Sequence, residues 1–110
     1  MLIRSQDKRM IVNFNNICTV SAFPEKDSED IYVEDGTGSL MVGRYSTKAK
    51  AMKVLDMIQE AYADEKLGDY TTYLQQKEIE KMDDSTILAI CNELMKKAVF
   101  QMPEDSVVDG

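Results

Sequence analysis

The chain has no histidine and no tryptophan, and only two cysteines and two prolines in 110 residues. Without histidine there is no Ser-His triad, no Cys-His pair and no imidazole metal site, and no unperturbed side chain that switches charge near neutral pH. Cys18 and Cys91 lie far apart and in no CxxC arrangement. Two thiols without histidine are too few for a zinc site, so no metal or other cofactor is expected. Both cysteines read as small buried apolar residues, in a reducing compartment. No apolar stretch reaches the roughly 18 residues that a membrane helix needs, and no basic n-region precedes an apolar run. The expectation is a cytoplasmic protein that neither crosses a membrane nor carries a standard secretion signal.

What is present is an ordinary globular composition, 44% hydrophobic and 30% charged, at a length that suits one domain. The net charge of −7 is unevenly placed. Residues 1–50 carry seven basic and seven acidic side chains, whereas residues 51–110 carry six and thirteen. An acidic half repels a phosphate backbone, which argues against duplex DNA as a partner. It suits a basic partner, although solubility alone also accounts for it. Eight methionines are many for this length; filling a core is their ordinary role, with Met52 and Met57 beside the apolar face of a helix.

The first 45 residues read as strands. Met1–Ser5 and Met10–Phe14 form a hairpin across the polar turn Gln6–Arg9. Ile17–Phe23 is β-branched and alternating. Ile31–Glu34 and Ser39–Tyr45 flank Asp35-Gly36-Thr37-Gly38, a strong hairpin signal. Five strands joined by short turns predict an antiparallel meander. The period then changes: Ala51, Val54, Leu55, Ile58, Ala61 and Tyr62 recur at helical spacing, with Lys50, Lys53, Asp56, Gln59 and Glu60 on the other side. Ser46 or Thr47 caps this helix, and Gly68 suits its end near Leu67. A second helix is read over 70–82 with Asp69 as its cap, and a third after Asp84 or Ser85, with Ile87, Ile90, Cys91, Leu94 and Ala98 on one face. Val99–Met102 reads as extended before Pro103. The predicted fold is α+β, a five-stranded antiparallel β-meander followed by two or three helices. Residues 1–103 form a single domain, and 104–110 a loose acidic tail.

The G-x-G of Gly36 and Gly38 opens a strand rather than a helix and has no third glycine, so it is a turn and not a dinucleotide fingerprint. The paired carboxylates fall where helix caps and turns need acids. The segment that stands out is Gly43–Lys50. A strand ends and a helix begins there, so free backbone N–H groups point outward. Arg44, Lys48 and two hydroxyls, Ser46 and Thr47, could hold an anion, and Tyr45 could stack on a base; Arg4 lies in a second basic cluster with Lys8 and Arg9. The plainer reading is a helix cap with solvated basic side chains.

The runs Met1-Leu2-Ile3-Arg4-Ser5-Gln6, Gly43-Arg44-Tyr45-Ser46-Thr47, Lys50-Ala51 with Val54-Leu55-Asp56-Met57-Ile58, and Phe100-Gln101-Met102-Pro103 resemble a family of short uncharacterised proteins. They are common in phages and prophages of low-GC Gram-positive bacteria. The resemblance covers about half the chain and carries no catalytic or binding residues with it. It implies a context in which small accessory proteins bind and neutralise bacterial defences. Two mechanisms fit. In one, an acidic surface (Asp64, Glu65, Asp69, Glu78, Glu80, Asp83, Asp84) mimics a nucleic-acid backbone and occupies a basic groove, as an inhibitor of a CRISPR nuclease would. In the other, Arg4, Arg44, Tyr45, Ser46, Thr47 and Lys48 hold a small signalling nucleotide. The partner is thus a host defence protein or a small nucleotide. The alternative is a self-assembling structural module, a homo-oligomer. An enzyme ranks last, because no compact nucleophile motif accompanies the missing histidine.

Overall fold

A computed structural model describes residues 1–74, 83–86, 88–89 and 98–109. The architecture is α+β, with six strands and one main helix in the order β1 (Leu2–Arg4), β2 (Ile11–Asn13), β3 (Thr19–Pro24), β4 (Glu29–Glu34), β5 (Ser39–Tyr45), α1 (Lys48–Leu74) and β6 (Val99–Gln101). The strands make two three-stranded sheets, β2-β1-β6 and β3-β4-β5, not one five-stranded meander. Two local events divide the expected meander. After β2 the chain closes a 3₁₀ turn at Phe14–Asn16, started by the Asn13 side chain accepting from the Asn15 amide. On the other side of β1, β6 pairs in parallel, Leu2 opposite Val99, a pairing that no hairpin signal announces.

The hairpins themselves follow from side-chain chemistry. The Met10 amide donates to Ser5 Oγ, which in turn donates to Asp7 Oδ1, closing the β1–β2 turn. Asp35 Oδ1 accepts from the amides of Thr37 and Gly38 and from the Thr37 hydroxyl. Gly36 there has φ +91, a conformation that suits glycine. The two sheets are stitched where their ends meet. The Gln6 amide donates to the Val42 carbonyl (2.8 Å), and the Gln6 side chain bonds the backbone of Arg44.

Thr47 caps α1, its Oγ1 accepting from the Lys50 amide. Ala51, Val54 and Ile58 are buried against Ile31, Val33 and Val42 of the β3-β4-β5 sheet, with Ile3, Tyr45, Met102 and Val108 closing the same core. The apolar spacing read from sequence therefore points inward. The helix does not stop near Leu67. Gly68 and Asp69 lie inside it, since one interior glycine costs only about 1 kcal/mol and good helix formers precede it. Its 27 residues span about 40 Å, whereas the seven residues of β5 span roughly 23 Å. The second half of α1 therefore outruns the sheet. Of the second predicted helix, residues 70–74 belong to α1 and 75–82 lie outside the described residues. Of the third, 84–86 and 88–89 are helical, capped by Asp83, whose Oδ1 accepts from the Thr86 amide at 2.8 Å, rather than by Asp84 or Ser85.

Residues 104–109 are not a loose tail. Asp105–Val107 is a 3₁₀ turn, and Val108, only 7% exposed, joins the core. Cys18 is exposed rather than buried, because it follows the 3₁₀ turn at the open margin of β3. Cys91 lies outside the described residues. Met1 and Met102 fill the core as expected, but Met41, Met52 and Met57 are exposed. No helix among the described residues is long and apolar enough to cross a membrane.

Candidate functional site

The junction of β5 and α1 does form an anion-binding geometry, and the chain's own carboxylate occupies it. Asp105 Oδ1 accepts from the Ser46 amide (2.7 Å) and the Ser46 hydroxyl (3.0 Å). Lys50 Nζ lies 3.5 Å from Oδ2 and donates to the Asp105 carbonyl at 3.0 Å. The Ser46 amide, its hydroxyl and Lys50 hold the Asp105 carboxyl below the usual carboxylate range. The amide and hydroxyl of the residue just before the helix cap are thus satisfied from within the chain.

Of the other basic groups predicted for this site, Arg44 and Arg4 are likewise engaged. The Arg44 guanidinium makes a two-pronged contact with Asp30, Nε to Oδ1 and Nη2 to Oδ2, both at 3.0 Å. Asp30 is fully buried and also accepts from the Ser28 hydroxyl. Its carboxyl is pulled down chiefly by the Arg44 hydrogen bond, against the opposing effect of burial. The Arg4 guanidinium donates to the Lys8 carbonyl. Tyr45 is buried, and its hydroxyl donates to the Pro103 carbonyl at 2.8 Å, so no ring face is open to stack on a base. Burial, with Asp105 nearby, raises the Tyr45 pKa well above the ordinary phenol value. Thr47 serves as the helix cap, and Lys48 is exposed. The ends of β1 and β5 do meet: Gln6 accepts from the Arg44 amide and donates to the Arg44 and Pro103 carbonyls. Their guanidiniums, however, turn to separate partners. Ser5-Gln6, Arg44-Tyr45 and Gln101-Met102-Pro103 are knitted together at this one corner.

The acidic candidates divide differently. Asp64 is exposed. Glu65 pairs with the amino group of Met1 at 2.9 Å. Asp83 and Asp84 are exposed, Asp83 as the cap already described. Glu78, Glu80 and the side chain of Asp69 lie outside the described residues. Sequence reasoning missed two residues of the same character, Asp56 and Glu60. With Asp64 they fall at i, i+4 and i+8 of α1, all exposed, and successive members of such a row lie about 6 Å apart along the axis. No ion pair neutralises them among the described residues. The signal was present in the sequence, where Asp56 and Glu60 stood on the solvent side of the helix.

Two hollows adjoin α1. One, of about 460 Å³, lies beside Cys18 and is lined by Phe14, Ile17, Val20, Leu55 and Tyr62, with no charged side chain. The other, of about 390 Å³, lies between the outer side of α1 and residues 103–109, and its charged lining is Asp56, Glu60, Asp109 and one cation, Lys53. Among the described residues, no group of three or more Cys, Asp or Glu is placed to hold a metal ion. Comparison of the chain with protein-family models, with curated proteins and with solved structures gives no match.

Proposed function

We propose that this is a non-enzymatic binding protein, an accessory protein of phage or prophage origin that occupies a basic surface on a host defence component. The observation that carries the reading is the exposed, unneutralised row Asp56, Glu60 and Asp64 on α1. Like charges at i, i+4 on a helix oppose its stability by about 0.2–0.5 kcal/mol per pair, so a row that makes no ion pair among the described residues, with Lys53 as a near but unbonded cation, suits a partner that supplies positive charge. The same contrast weighs against the nucleotide mechanism. Ser46 and Lys50 serve Asp105, Arg44 serves Asp30 and Tyr45 is inside, so a phosphate would have to displace the chain's own carboxylates.

The test is a pull-down from a bacterial host lysate, with mass spectrometry of retained proteins and of retained small molecules. The expected result is a basic protein released as salt is raised, because exposed charge contacts are screened. Retention of a nucleotide would instead favour the second mechanism, and metal-dependent turnover in a phosphatase and nuclease screen would favour an enzyme. Self-assembly is the second reading. It is favoured by the sheet face away from α1, where Phe23 and Met41 are exposed, and by β3, which among the described residues has β4 as its one strand neighbour. Light scattering after size-exclusion chromatography separates the two, since a monomer removes self-assembly.

A further inference from the structure

We propose that the groove between α1 and residues 103–109 docks a basic, amphipathic segment of a partner protein, with arginine or lysine side chains on Asp56, Glu60 and Asp109 and an apolar side chain between Met57 and Val107. This rests on the preceding reading of the protein as an acidic binder and names the place and the chemistry. Positions 53, 56, 57 and 60 fall at i, i+3, i+4 and i+7, one face of α1 turned away from the core face of Ala51, Val54 and Ile58. That face supplies two carboxylates and one lysine, Lys53, and the facing wall adds Asp109.

The wall is held in place. Val108 is anchored in the core, and Asp105 is fixed by Ser46 and Lys50. Pinned on both sides, Val107 nevertheless stands 69% exposed, across the groove from Met57 at 39%. Exposed apolar side chains flanked by carboxylates are complementary to a segment that alternates cationic and apolar residues, and a preformed groove avoids the entropy cost of ordering a tail on binding. The apolar hollow beside Cys18 is larger, but no charge there specifies an occupant.

The experiment uses the full chain and two fluorescein-labelled peptides in anisotropy titrations at low salt. One has the sequence Leu-Arg-Arg-Leu-Leu-Arg-Arg-Leu, and in the other every leucine is replaced by serine. The wild type is expected to bind the leucine peptide about tenfold more tightly. Asp56→Asn with Glu60→Gln weakens both peptides by about tenfold. Val107→Ser, at an exposed position, weakens the leucine peptide alone. Asp84→Asn, outside the groove, changes neither, and thermal melts verify that each variant is folded. If Asp84→Asn costs as much as the α1 pair, the groove is wrong while acidic binding stands. Equal affinity for the two peptides also overturns the groove. If neither peptide binds, both the groove and the acidic-binder reading fall.

Discussion

Two charged regions of this molecule, the corner where β5 leads into α1 and the outer face of α1 beyond it, are built on opposite terms. At the β5–α1 corner, positive groups meet the chain's own carboxylates: Arg44 with Asp30, and Ser46 and Lys50 with Asp105. Two turns further along, Asp56, Glu60 and Asp64 have no such partners among the described residues. A charge satisfied within the fold contributes to holding the fold, and its use by a ligand requires breaking that contact. An exposed charge left unpaired is available without such a cost. The corner is therefore architecture, and the acidic face is the surface we propose for recognition.

The comparison breaks most readily at the corner. Tyr45→Ala removes a buried aromatic ring and the hydrogen bond to Pro103, and the expected loss is about 4 kcal/mol, read from urea or thermal denaturation. A loss under about 1 kcal/mol would show that the corner is not structural. Gly43→Val comes next. A side chain there begins with a Cβ 2.9 Å from Tyr45 Cε2 and 3.0 Å from Met102 Cε, so overpacking should cost about 1–3 kcal/mol in the same assay.

The electrostatic half of the comparison is sharpened by pH. Asp30 has its folded pKa lowered from the ordinary 3.8, first by the Arg44 hydrogen bond. A carboxylate with a depressed folded pKa contributes stability that is present above its unfolded value and is lost as pH falls through the folded one. Stability should therefore decline on acidification below about pH 4, with Asp105, also lowered, acting in the same direction. Arg44→Gln leaves the buried Asp30 carboxylate without its cation, which should lower stability near neutral pH. It should also flatten the acid limb of the stability profile. A limb identical to that of the wild type would contradict the assigned pair.

How much of this was legible in the sequence depended on how local the signal was. The Asp35–Gly38 turn, the Thr47 cap and the inward face of Ala51, Val54 and Ile58 are set by residues within a few positions of one another, and the sequence pattern reveals them. The parallel pairing of Leu2 with Val99 joins residues far apart in the chain, and three-residue strands carry too little alternation to announce their neighbours. The anion geometry at Ser46 was legible, but its occupant was not. Asp105 lies in what reads as a polar tail, and only the burial of Val108 places it against the helix start. Glu65 and Asp64 are adjacent acids in sequence, yet one is turned to the Met1 amino group and the other to solvent.

The smallest expected effect lies on the acidic face. Asp56→Asn with Glu60→Gln should leave the melting temperature unchanged or raise it slightly, because relief of like-charge repulsion at i, i+4 is worth about 0.2–0.5 kcal/mol. A clear drop would mean that these carboxylates hold the fold after all, and the distinction between the two regions would fail.

That distinction is tested most directly by amide chemical-shift mapping of the full chain, titrated in parallel with the leucine–arginine peptide and with a nucleotide diphosphate. The account predicts peptide-dependent shifts over residues 53–64 and 107–109, and none caused by the nucleotide at Ser46–Lys50. Nucleotide-dependent shifts centred on Ser46–Lys50, with no response of α1 to the peptide, would contradict it.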